Sequence, residues 1–261
     1  MLMLKASASN GGGSTASAIR ELSAVPDDIA LLQRFYRDVY LPEFPDPDER
    51  ESLANMIHYL ELKGQGWYGA NNYHIVLMLE CDRPVAGTVC DYLASADSGV
   101  IEFLAVAPDR RRHGLGKRLL HWIESTLLAD AGSRTTRALS CIVAEMHDPR
   151  LPDAHHASLD PLARARIWSK WGYRKLDFDY VQPPLSATQQ AARHLMLLAK
   201  IPNGVDQHDA VSAQQLCAVL REYLIWAMRI EDPEQTIEYQ EMEAQLEGRS
   251  SVDLIPLVAS P

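Results

Sequence analysis

The chain has 261 residues, 47% hydrophobic and 23% charged, an ordinary globular composition with enough apolar side chain for a sizeable core. Lys and Arg number 25 against 35 Asp and Glu, a net charge of −10, which argues against a duplex nucleic-acid binder and suits a small cationic partner. No apolar run reaches the ~18 residues that a membrane-spanning helix needs, so no membrane partner is expected. Cys81, Cys90, Cys141 and Cys217 include no CxxC pair, which excludes a zinc ribbon or a dithiol redox site. Three of the four lie in apolar segments, as reduced thiols in a cytoplasm would.

In chain order, residues 1–16 are rich in Ser, Ala and Gly and read as a flexible leader. Residues 17–25 predict a first strand. Pro26-Asp27-Asp28 opens a helix, with Ile29, Leu32, Phe35, Tyr36 and Val39 at helical spacing. Three prolines between Leu41 and Pro47 are expected to break it. A second helix is predicted from Asp48 to about Lys63. Residues 74–79, 85–93 and 100–106 predict three strands, the first two joined by a Cys81–Pro84 turn, with Gly87 marking a bulge or a close backbone approach. From Gly114 a long amphipathic helix is expected, then a buried strand over 138–145, a polar loop over 147–160, and a short helix from Leu162 to Trp171 stopped by Gly172. Residues 173–181 and 193–200 predict two further strands, and 211–230 and 233–247 two helices. This mixture of hairpins and helices predicts an α/β fold with a sheet of mixed, mostly antiparallel direction.

The most informative stretch is Ile101-Glu102-Phe103-Leu104-Ala105-Val106-Ala107-Pro108-Asp109, followed by Arg111-x-x-Gly114-x-Gly116 and the helix from Leu119-Leu120. A strand that turns straight into a helix N-terminus leaves backbone N–H groups without intrahelical acceptors, and the helix dipole favours an anion there. Gly114 and Gly116 let a pyrophosphate approach the backbone, and Arg111, Arg112 and Lys117 add positive charge. The dinucleotide fingerprint fails because its last glycine position holds Leu119. The Walker A loop fails because its first glycine position holds Arg111 and its Ser/Thr position Arg118.

The strand with R-x-x-G-x-G resembles the signature of the GNAT superfamily, the CoA-dependent N-acetyltransferases. The resemblance implies a GNAT domain over 17–200, a C-terminal helical extension over 205–261, and acetyl-CoA as co-substrate. It implies a V-shaped gap between the fourth and fifth strands, with the pantetheine arm on Leu104, Ala105 and Val106. The pyrophosphate is expected on Arg111, Arg112, His113, Gly114, Leu115, Gly116 and Lys117. Transfer to a primary amine of a small molecule or peptide, by direct attack in a ternary complex, is the expected reaction. Only about one in a few thousand alkylamines is neutral at pH 7, so a proton acceptor worth ~4–5 kcal/mol is required. Glu102, a carboxylate inside an apolar strand, is the expected base, on one strand face with Leu104 and Val106. The family's usual general acid is a Tyr four residues before the glycine that ends the short helix; that position holds Trp168, which has no proton to give. Tyr173 is expected to face away.

Glu145 and His147, at the end of the fifth strand, are candidates for the acceptor pocket, with Tyr40, Phe44, Asp46 and Asp48 of the Pro-rich loop. His147, His155 and His156 match no known ligand spacing, so no metal site is expected. For the C-terminal helices, a cover over the acceptor face and a homodimer surface are both open. A longer acyl donor and a non-catalytic acyl-CoA sensor are the alternative functions.

Overall fold

The computed structural model describes residues 17–151, 159–186, 188–202 and 209–258. The leader and the pair His155-His156 lie outside the described residues. Strands β1 (Ala18–Glu21), β2 (Asn72–Glu80), β3 (Arg83–Leu93), β4 (Ser98–Val106), β5 (Cys141–His147), β6 (Arg174–Leu176), β7 (Leu195–Lys200), β8 (Ala210–Ser212) and β9 (Ser251–Ile255) form one sheet in the order β1-β2-β3-β4-β5-β7-β6-β9-β8. Every neighbouring pair is antiparallel except β4 and β5.

Helices α1 (Pro26–Phe35), α2 (Leu41–Glu43), α3 (Leu53–Gly64) and α6 (Ala213–Trp226) supply one face of the core, and α4 (Leu115–Asp130) and α5 (Pro161–Lys170) the other. A last helix, α7 (Ile237–Leu246), packs with α6. The sheet is apolar on both sides because both are covered: along β2, Ile75 and Leu77 join the α1–α3 cluster while Val76 and Met78 join Leu115 and Leu119 of α4.

Several expectations are corrected. The helix from Pro26 does not break at Pro42. A π turn over Tyr36–Tyr40, with Leu41 N–H bonded to the Tyr36 carbonyl, lets the chain run on to Glu43. The next helix starts at Leu53 rather than Asp48, capped by Ser52 Oγ on Asn55 N–H; residues 47–49 form only a single 3-10 turn. The strand expected over 173–181 stops at Leu176. The C-terminal segment holds the expected helices and, in addition, β8 and β9, which join the same sheet beside β6. Gly87 is a close approach: a Cβ there would lie 2.6 Å from the Phe35 ring.

Two features of β4 set up the site. Its parallel pairing with β5 runs only from Ser98↔Cys141 to Ile101↔Ala144, after which the strands diverge. Toward β3 the register passes from Cys90↔Ile101 to Val89↔Phe103, so Glu102 is the extra residue of a β-bulge.

Candidate acyl-transfer site

The bulge decides which way Glu102 faces. Val100, Phe103 and Ala105 pack with the α1, α3 and α6 side, while Ile101, Leu104 and Val106 pack toward α4. Glu102 lines a cavity with Tyr40, Phe103 and Tyr223, so the expectation that it shares a face with Leu104 and Val106 is wrong. The extra residue breaks the two-residue alternation on which that expectation rested.

Two small adjoining cavities, open to solvent, occupy the fork between β4 and β5. Glu49, Glu102, Glu145 and Gln182 line both. The first is completed by Tyr40, Glu51, Leu185, Tyr223 of α6 and, just beyond that helix, Ala227 and Met228; the second by Glu43, Phe44, Pro45, Asp46, His147 and Arg164. Of the expected acceptor residues, Tyr40, Phe44, Asp46, Glu145 and His147 therefore meet here. Asp48 is absent from the lining; its N–H is bonded to Asp46 Oδ1 at 2.9 Å.

The electrostatics are unusual. Asp91 of β3 is 1% exposed, and its buried Oδ2 has no hydrogen-bond partner among the described residues. Burial first, and then the neighbouring Asp91, push Glu102 well above the carboxylate range; burial also raises Asp91. Arg229 opposes both shifts; its guanidinium lies over the rings of Tyr59, Trp67 and Tyr68, 4.3, 4.8 and 5.2 Å from their centroids.

Burial raises Glu145 to about 7 despite hydrogen bonds from Tyr180 and Tyr223. Tyr40, set by the π turn, packs at a tilt against Phe103 with ring centroids 4.6 Å apart, and its hydroxyl oxygen accepts Glu51 N–H at 2.9 Å. Its own proton thus stays available to donate. Tyr173 does face away: its hydroxyl meets Glu124 on α4. Trp168 is 8% exposed and packs edge-on against Trp171 and Tyr173.

The other arm of the fork is the loop before α4. A 3-10 turn at Pro108–Arg110 leads to Arg112 at φ +67° and Gly114 at φ +76°. Gly114 is the N-cap of α4 and no side chain caps that end. A Cβ at Gly114 would meet nothing within 4 Å, whereas at Gly116 it would come 3.3 Å from Trp171. Open amides, a positive dipole end and free space suit a diphosphate. Among the flanking cations, Arg112 and Lys117 are exposed and make no ion pair with the described residues. Arg111 instead turns inward, donating to the Val106 carbonyl at 3.3 Å and pairing with Glu43. His113 sits exposed with Nδ1 3.3 Å from the Arg110 carbonyl oxygen, and Leu115 buries its side chain under β2.

Asp91, Glu49, Glu51, Tyr180, Tyr223 and Arg229 escaped the sequence reading. Only Asp91 carried a usable signal, as the lone carboxylate within the apolar run 85–93.

The comparisons with known proteins agree with this geometry. Residues 32–147 match the model of the Acetyltransferase (GNAT) family. A structure described as a GNAT-family acetyltransferase from Bacteroides thetaiotaomicron aligns with TM-score 0.56 at 17% identity, covering 82% of this chain and 99% of that one. The PaiA N-acetyltransferase of Thermoplasma acidophilum, in complex with coenzyme A, aligns with TM-score 0.49 at 12% identity over 72% of this chain and 99% of its own. No curated protein matches the chain. The signature loop, the forked mixed sheet and the family match agree, and residues 32–147 of this chain belong to a GNAT-family acetyltransferase domain.

Proposed function

We propose that this protein is an N-acetyltransferase that moves an acetyl group from acetyl-CoA to a primary amine of a cationic small molecule or peptide, by direct attack in a ternary complex. The observation that carries this reading is the acidic lining of the fork: Glu49, Glu51, Glu102 and Glu145 face one space beside an anion cradle. When bound, acetyl-CoA supplies a thioester carbonyl activated toward amines.

The residues of this chain divide the remaining work. Glu49, whose carboxyl group is held below the usual carboxylate range, and Glu51 hold the acceptor as an ammonium, and the low surrounding polarity strengthens that attraction. Glu102, in its ionised form, takes the proton that the amine must lose before its nitrogen can attack, and Asp91 tunes how readily it does so. As the C–N bond forms the C–S bond breaks; the nitrogen loses its second proton to water, and the sulfur leaves as a thiolate. Trp168, where the family commonly has a tyrosine, donates nothing to that sulfur. Glu145, raised to about 7, and its tyrosines hold a second polar group of the acceptor. Tyr223 of α6, with Ala227 and Met228 just after it, walls the cavity and supports the reading of this helix as a cover over the acceptor face.

Trp168 favours one rival, a sensor that binds acetyl-CoA without turnover. A panel of polyamines, aminoglycosides and basic peptides, assayed by release of free CoA thiol, distinguishes the two. Turnover with a cationic amine, with KM raised in Glu145→Gln, supports the enzyme. Acetyl-CoA binding with no thiol released by any acceptor supports the sensor, and no binding at all rejects both.

A further inference from the structure

Glu49, His147 and His194 come from three elements far apart in sequence: the Pro47–Glu49 turn, the end of β5 and the residue before β7. Both imidazoles aim Nε2 at one carboxylate, His147 at Oε2 over 2.6 Å and His194 at Oε1. The two rings stand edge to face, centroids 5.0 Å apart, and the three potential ligand atoms lie within 4.8 Å of one another. We propose that these residues form a binding site for a divalent transition-metal ion of the zinc class.

Two imidazole nitrogens and a carboxylate make a complete three-ligand protein set for zinc, with the fourth position left to water. That position opens on the cavity that Glu43, Asp46 and Arg164 also line, where the carboxylates outnumber the guanidinium. Nδ1 of His147 is buried without a hydrogen-bond partner, so the contact at Nε2 alone sets the ring's tautomer. An ion at Nε2 takes the place of the shared proton.

Tetrahedral bonds of about 2.0–2.2 Å separate ligand atoms by about 3.4 Å, so Glu49 has to part from both histidines, by about 0.8 Å from His147, and any pair at the 4.8 Å limit has to close by about 1.4 Å. Glu49 sits on a short turn within a Pro-rich segment, which can supply its shift, while His147 stays on β5 and His194 directly precedes β7. Metal binding would tie this turn to β5 and β7 and withdraw the charge of Glu49 from the acceptor cavity. The site shares Glu49 and His147 with the acceptor cavity, but loading it with an ion needs neither CoA nor acceptor, so its test is separate from that of the acetyl-transfer reading.

The test uses the full chain, stripped with chelator and titrated with Zn²⁺ alone by calorimetry. One ion per chain is expected, with X-ray absorption showing imidazole and oxygen ligands and no sulfur. His147→Gln and His194→Gln should each weaken binding by more than about 100-fold, beyond what loss of an outer-shell partner costs. Cys81→Ser, at the exposed thiol, should leave the stoichiometry unchanged. If His147→Gln does not fold, His194→Gln, whose side chain is 27% exposed, carries the same expectation. No binding, sulfur ligation, or binding that survives loss of the histidines overturns the proposal; acetyl-CoA binding measured on the same sample leaves the transferase reading separately decided.

Discussion

The charge of Asp91, buried on β3, raises Glu102 on the neighbouring β4 at the point where the bulge turns Glu102 into the fork. A buried carboxylate with a like-charged neighbour is a stronger base than a solvated one, which is what removing a proton from an ammonium requires. Glu102→Gln should lower kcat/KM by about 10²–10⁴ while acetyl-CoA binding is kept. Asp91→Asn removes a cause of the raised Glu102 value. The limb of the pH profile that rises as Glu102 ionises should therefore move to lower pH. A profile unchanged in Asp91→Asn would show that the pair does not govern proton removal.

Arg229 should act in the opposite sense. Its positive charge holds Glu102 and Asp91 down, so Arg229→Gln should move the same limb to higher pH. Stability should also fall by about 1–2 kcal/mol as the contacts with Tyr59, Trp67 and Tyr68 are lost. Opposite shifts in the two variants, read from kcat/KM against pH, separate an electrostatic origin from general damage to the site.

Gly114→Glu should abolish calorimetric binding of acetyl-CoA without unfolding the protein. A side chain at Gly114 meets no neighbouring atom, so its cost to the fold is the strain of φ +76°, about 1–2 kcal/mol. The new carboxylate sits at the open α4 amides and repels a diphosphate. Retained binding would remove the cradle from the mechanism.

Away from the site, His74 bridges Glu21 at 2.7 Å and Asp130 at 2.8 Å, with its side chain 4% exposed. Although burial opposes it, hydrogen bonds to the two carboxylates raise His74 above 6.5. Its contribution to stability is thus complete below pH 6.5 and is lost as pH climbs through the folded value. Glu21, lowered to about 2, and Asp130, also lowered, contribute above the ordinary carboxylate range and lose that contribution in acid. Denaturant midpoints should peak between about pH 5 and 6.5. His74→Gln should cost about 2–3 kcal/mol there, less than a fully buried pair because Glu21 is partly solvated, and should flatten the fall toward alkaline pH.

The sequence was most legible where the chemistry is local. The cradle, its strand and its helix are contiguous, so Val106 through Leu120 could be read as one unit. Glu102 stood out because a carboxylate in an apolar strand demands a reason. Its direction was not legible, because a bulge is a property of two strands and leaves no mark on one. Glu49 and His194, 145 residues apart, meet only through the fold. Strand β9 was missed although its burial alternates with a period of two over Ser251–Ile255; five residues are too few for the pattern to outweigh the helices before it. The π turn that carries the chain past Pro42 is likewise invisible to a rule that treats proline as a stop.

The irregularity at Glu102 makes the direction of a buried carboxyl group depend on counting rather than on chemistry. Deleting one neighbouring residue of β4 would restore strict alternation and swing Glu102 out of the fork with no substitution anywhere. Relatives could gain or lose an acidic base by a single-codon insertion or deletion, with no substitution at all, and an alignment that ignores such gaps would assign the role to the wrong position.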